Sequence, residues 1–202
     1  LVGSDEPDHD EFTREQIGLF RKMADKLKKL LPGDFMMHIL NSAGIERFVA
    51  DQMDMVRLGI GLYGVSGNNS GSLQEVSTFK TSISQVRELE GGTTIGYSRK
   101  GKLVAKRTIA TLPVGYADGL PRSLGNGKGS FLVAGKQAPT VGNICMDMCM
   151  IDITGTDAKA GDEVVIFGKN HPVKLISEAA GTIPYEILTG ISERVKRIYY
   201  QE

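Results

Sequence analysis

Asn41-Ser42 follows the apolar run at residues 35–40, and Gly59-Ile60 follows the strand-like opening of the run at 55–63, in a strand–helix–strand pattern. Open sheets and barrels place ligands beyond the carboxyl ends of their strands, so these four residues could together hold a small phosphate. Arg57 interrupts the second run, and a guanidinium inside an apolar strand must be either ion-paired or functional, because burying it alone costs several kcal/mol. Other chemistries fail on spacing. Gly91-Gly92-Thr93-Thr94-Ile95-Gly96 has the glycines of a nucleotide P-loop but continues Tyr97-Ser98, without the lysine that reaches the phosphates. His9, His38 and His171 are scattered and lack metal-ligand spacing. Gly129-Ser130-Phe131 lacks the second glycine of a nucleophile elbow. Cys145 and Cys149 lie in a strand-like run and read as buried thiols. Tyr97, taken alone, reads as a packed aromatic.

These residues need elements to position them. Thr13-Arg14-Glu15-Gln16 has capping-box spacing and predicts a helix start. Ile17, Phe20, Met23, Ala24, Leu27, Leu30 and Leu31 continue it as an apolar stripe ending at Pro32-Gly33, with Lys26, Lys28 and Lys29 on the wet face. The runs at 35–40 and 55–63 predict strands buried on both faces and joined as a parallel βαβ unit. Ser66-Gly67-Asn68-Asn69-Ser70-Gly71-Ser72 reads as a flexible linker. Beyond it, alternating runs at 79–89, 102–114, 130–134, 148–153 and 163–167, separated by glycine-rich turns, predict an antiparallel β domain. Residues 176–180 and 185–188 predict helices, and 194–200 a closing strand.

The 202 residues carry 24 Lys+Arg against 24 Asp+Glu and are 41% hydrophobic. A balanced charge lacks the cationic excess that holds nucleic acid or an anionic membrane surface, and no run approaches the roughly 20 apolar residues of a membrane span. Neither kind of partner is expected. The opening Leu1-Val2-Gly3 reads as a start in mid-protein, and the two cysteines as those of a cytoplasmic chain.

Six motifs in order resemble alanine racemase, a fold type III pyridoxal-phosphate family. They are His38-x-x-Asn41-Ser42-Ala43, Val56-Arg57-Leu58-Gly59-Ile60-Gly61-Leu62-Tyr63-Gly64, Ile95-Gly96-Tyr97, Gly115-Tyr116-Ala117-Asp118-Gly119, Val141-Gly142-Asn143-Ile144-Cys145-Met146-Asp147-Met148 and Ile183-Pro184-Tyr185-Glu186. The resemblance implies an α/β + β chain: the last part of a TIM-type (β/α)8 barrel over residues 1–65, the linker at 66–72, and a C-terminal, mainly antiparallel β domain over 73–202. It implies that Ser42, Gly59, Ile60 and Tyr185 bind the phosphate of pyridoxal 5'-phosphate, with Asn41 also counted among the cofactor-binding residues. Arg57 would face the pyridine nitrogen, where a guanidinium that keeps its proton leaves the ring a weak electron sink. Tyr97 would be the base on one face of the substrate, Tyr116 would line the entry channel, and Met146 and Asp147 would close over the substrate carboxylate. In the family, Tyr97, Tyr116, Met146 and Asp147 serve the neighbouring subunit's site, which implies a homodimer acting on L- and D-alanine to supply peptidoglycan. The family's Schiff-base lysine motif does not occur in the sequence, so the chain by itself is expected to be inactive, with its first segment docked on a partner or swapped between copies. A racemase of another small amino acid such as serine, or a non-catalytic dimerisation or binding module, are the alternatives.

Overall fold

A computed structural model describes residues 1–66 and 73–200, which divide into two compact units, Leu1–Val76 and Ser77–Glu202. The predicted linker falls outside the described residues except at Ser66, whose hydroxyl donates to Glu46 Oε2 at 2.6 Å. Among the described residues, no helix is long and apolar enough to cross a membrane.

In the first unit, a 3-10 turn at Pro7–His9 leads directly into helix α1, Asp10–Leu30. The start is three residues earlier than the capping box at Thr13 predicted. Pro7 has its φ preset for the first helical turn, and Asp8, Asp10 and Glu11 complement the positive end of the helix dipole. Gln16 accepts from the Val2 N–H at 3.0 Å instead of closing a box, and the Thr13 hydroxyl is buried. Ile17 and Ala24 are buried as the stripe requires, whereas Met23, Leu27, Leu30 and Leu31 are exposed.

Helix α2, Ser42–Arg47, is capped by Asn41, whose Oδ1 accepts from the Gly44 N–H and the Ser4 hydroxyl. Ile17, Leu40 and Phe48 form the small core. The two predicted strands do not form. Segments 35–40 and 54–59 touch through Asp54 N–H to Met37 O at 3.2 Å and Arg57 N–H to Leu40 O at 2.9 Å. Both pairs are 17 residues apart, so the segments run parallel as expected, but no third segment extends the pairing among the described residues. Met36 and Leu58 are exposed, which contradicts burial on both faces. From Ile60 to Tyr63 the second run is a 3-10 turn, ended by Gly64 at φ 80°.

The second unit is a closed arrangement of antiparallel strands. Strands β1 (Phe79–Ser82) and β2 (Gln85–Leu89) come from one predicted run, which bends at Ile83-Ser84 from one sheet into the other. The remaining strands are β3 (Thr94–Ile95), β4 (Gly101–Lys102), β5 (Arg107–Leu112), β6 (Ser130–Val133), β7 (Lys136–Pro139), β8 (Cys149–Asp152) and β9 (Glu163–Phe167). One sheet has the order β1-β9-β6-β7 and the other β2-β5-β8, with β3 and β4 as a separate hairpin. A bridge between Thr140 and Ile151 and the Val141 N–H to Met150 O bond join β7 to β8. Because β2 follows β1, the pairing runs around a full ring, which leaves few strand edges open. Phe131, Val133, Leu112, Ile151, Val164 and Ile166 fill its interior.

Helices α3 (Val173–Ala180) and α4 (Pro184–Gly190) follow, where helices were predicted. The closing strand at 194–200 is absent. Arg197 instead donates to the carbonyls of Ile191 and Ser192, and Tyr199 and Tyr200 are exposed.

Candidate active site

Ser42 opens α2 immediately after the Asn41 cap, and its buried hydroxyl accepts from the N–H groups of Gly59, at 2.9 Å, and Gly61, at 3.2 Å. Gly59 and Ile60 begin the 3-10 turn. The first N–H groups of both helical segments have no carbonyl partner within their own turn, so one hydroxyl joins two sets of backbone donors. With those two N–H groups taken up, the Ser42 hydroxyl still has its own proton to donate, which fits a phosphate group. Asn41 is spent differently from expectation, since its Oδ1 already holds the Gly44 N–H and the Ser4 hydroxyl.

Arg57 is exposed and donates from Nη2 to Ile39 O at 3.1 Å. Among the described residues no carboxylate pairs with it, which removes the ion-pair explanation for an arginine at this position. Between residues 30 and 79, the stretch that carries Ser42, Arg57 and Gly59, the sequence has no lysine.

In the second unit, Tyr97, Tyr116, Met146 and Asp147 line one cleft of about 470 Å³, together with Arg122, Asn143, Ile144, Cys145 and Met148. Residues 50 positions apart in the chain are thus gathered by three turns. Tyr97 follows Gly96, at φ 74°, and precedes Ser98 and Arg99, which hold left-handed φ values of 56° and 53°. Such strain in non-glycine residues persists only where the surroundings fix it. Here the Asn143 side chain donates to Tyr97 O at 3.1 Å, and a Cβ on Gly142 would stand 2.8 Å from Ile95 O. The Tyr97 side chain is 74% exposed, so it is not the packed aromatic that its sequence surroundings alone suggested.

Tyr116 and Ala117 donate their N–H groups to Cys145 O and Met146 O, both at 3.0 Å. The two turns press so closely that a Cβ on Gly115 would lie 2.3 Å from the carbonyl oxygens of Cys145 and Met146. Asp118 closes its turn by accepting the Gly115 N–H at 2.8 Å, and its other oxygen accepts from Arg194 Nε at 2.8 Å. Arg194 Nη2 reaches Asp147 at 2.6 Å. Burial would raise the Asp118 carboxyl, but the Arg194 guanidinium and the Gly115 N–H outweigh it and hold the group below its usual range. Asn143, Arg122 and Arg194 went unassigned in the sequence. Arg194 is 76 and 47 residues from its two partners, a separation that no local pattern could flag.

Cys145 and Cys149 are buried free thiols, and burial pushes Cys149 up to about 12. His171 is buried, with Nε2 2.9 Å from Ser130 O. Tyr185, on α4 of the second unit, has a half-exposed ring.

Residues 1–67 match the family described as "Alanine racemase, N-terminal domain", and residues 76–199 match "Alanine racemase, C-terminal domain". The alanine racemase of Halothermothrix orenii is 44% identical over 98% of this chain and 54% of its own length. The crystal structure of alanine racemase from a D-cycloserine-producing Streptomyces lavendulae superimposes with a TM-score of 0.93 at 33% identity, over 100% of this chain and 55% of that one. A Bartonella henselae alanine racemase structure with covalently bound pyridoxal phosphate gives 0.89 at 33% identity, over 99% and 55%. The chain belongs to the alanine racemase family and spans about half the length of these relatives.

Proposed function

We propose that this chain forms the C-terminal half of a cytoplasmic alanine racemase, which interconverts L- and D-alanine with pyridoxal 5'-phosphate and supplies peptidoglycan synthesis. Residues 1–65 would be the last part of a (β/α)8 barrel, 66–72 a linker and 73–202 the C-terminal β domain. The observation that carries the reading is the single cleft lined by Tyr97, Tyr116, Met146 and Asp147. When bound, the cofactor withdraws electrons from the α-carbon and acidifies its hydrogen.

Racemisation then needs one acid/base group on each face of that carbon. Tyr97 serves one face, its exposed ring carrying the hydroxyl that acts there as acid or base. Ser42, Gly59, Ile60 and Tyr185 hold the phosphate, Asn41 caps the helix that carries Ser42, and Arg57 faces the pyridine nitrogen. Tyr116 lines the entry, and Met146 and Asp147 close over the substrate carboxylate. The base on the other face comes from the part of the family to which this chain does not align. In the homodimer, the Tyr97 cleft of one subunit completes the phosphate cradle of the other.

The test is alanine racemisation with added pyridoxal phosphate, by the chain alone and after co-expression with the N-terminal half of the Halothermothrix relative. Activity is expected only in the complemented protein. Tyr97→Phe should then lose about 10²-fold or more, most steeply from L to D, because a positioned acid/base contributes on that scale. A folded, cofactor-binding complemented protein with no alanine racemisation would overturn the reading.

A further inference from the structure

Arg194 does not line the cleft, yet it grips the two turns that do. Its Nε bonds Asp118, in the turn that carries Tyr116, and its Nη2 bonds Asp147, beside Met146. The third segment it joins is the one leaving α4, where the Ser192 N–H donates to Asp118 O and Gly119 lies so close to Gly190 O that a Cβ would approach it to 2.3 Å. An exposed ion pair by itself contributes little. One guanidinium spanning two carboxylates on separate turns differs in kind, because it fixes the spacing of those turns and offsets part of the repulsion between two like charges.

We propose that Arg194 is a positioning residue that holds Asp147 and the Tyr116 turn in register at the cleft and offsets the charge of Asp147, so that the cleft admits the carboxylate of an amino-acid substrate. This rests on the racemase reading above. Without Arg194, Asp147 would present an uncompensated negative charge to an incoming carboxylate, and the Tyr116 turn would lose the tie that its Asp118 provides.

Two measurements test it. In the complemented enzyme, Arg194→Gln should raise KM for alanine about tenfold while kcat stays within about threefold, the signature of lost binding rather than lost chemistry. Adding Asp147→Asn to that variant should recover part of the KM by removing the charge, a rescue that a purely structural arginine would not permit. In the chain alone, amide hydrogen exchange should quicken about tenfold or more at Tyr116 and Ala117 in Arg194→Gln and stay unchanged along β5. Equal quickening along β5, or a KM that does not move, would overturn the proposal. If the complemented wild-type protein proves inactive, the racemase reading fails, and the exchange result alone still decides whether Arg194 holds the turns.

Discussion

Asp118 is a turn residue by sequence, two positions after Tyr116 and beside Gly119, and the structure gives it a second task as a partner of Arg194. Its carboxyl is held below the ordinary range, so the folded state binds fewer protons than the unfolded chain as the pH drops through the carboxylate region. Its contribution to stability is therefore complete above the unfolded value of about 4 and is lost as the pH falls through the lower folded value. Asp118→Asn should cost about 1 kcal/mol near neutrality, as expected for a charge-assisted bond exchanged for a neutral one. The gap from wild type should close as urea unfolding is repeated from about pH 6 down to about pH 3. Stability curves that remain parallel over that range would show that Asp118 is not the group responsible. Cys149 contrasts with it, since no partner offsets burial, and with a thiol at about 12 it stays protonated and unreactive at neutral pH.

At the scale of elements, the position of Tyr97 depends on a glycine 45 residues later. Gly142 adopts φ 71°, and a Cβ there would stand 2.8 Å from Ile95 O, a backbone atom that cannot turn aside. Gly142→Ala should therefore cost about 2–4 kcal/mol, the sum of left-handed strain and a forced backbone shift. Gly135 supplies the control, since its φ of 76° is as strained but nothing lies within 4 Å of an added Cβ. Gly135→Ala should cost only about 1 kcal/mol in the same urea titration, from the left-handed conformation alone. Equal losses would mean that the contact with Ile95 is not tight. The same pair shows what the sequence could convey. Gly135-Lys136 was legible as a glycine turn after the run at 130–134, whereas the role of Gly142 comes from a contact across the fold. Strands β1, β2, β5, β6, β8 and β9 fall within runs readable from alternation, but β3, β7, the bend at Ile83-Ser84 and the closure of the ring were not read, because short or polar strands and pairing partners leave no periodic mark. In the first unit, apolar runs at 35–40 and 55–63 suggested buried strands, and their parallel alignment was right. Their ladder is missing because a strand needs neighbours that no local pattern supplies. The cleft was legible only as a set of motifs matching a family, since Tyr97, Tyr116 and Asp147 share no spacing that signals proximity.

Taken whole, the molecule divides its apolar side chains unequally. The ring in the second unit closes over Phe131, Leu112, Ile151 and Val164, and its strands satisfy one another's backbone groups around the circuit. The first unit buries chiefly Ile17, Leu40 and Phe48, while Met23, Leu27, Leu30, Leu31, Met36, Leu58 and Leu62 stand exposed. Apolar surface contributes to folding in proportion to the area removed from water, at about 25 cal/mol per Å², so side chains left in contact with water add little. Ordering the backbone costs each unit about 1–2 kcal/mol per residue regardless. The first unit should therefore open at lower denaturant than the second, giving two transitions in urea rather than one. Brief proteolysis without denaturant should cut within residues 10–64 and spare the ring, because cleavage follows the population of locally opened states. On the proposed function, the exposed methionines and leucines of α1 and the 55–63 segment are the surface that a complementing half would cover. Co-expression with the N-terminal half of the Halothermothrix relative should then merge the two transitions and slow cleavage within residues 10–64. A single cooperative transition in the chain alone, with cleavage distributed over both units, would mean that the first unit draws its stability from contacts that the exposed side chains do not make.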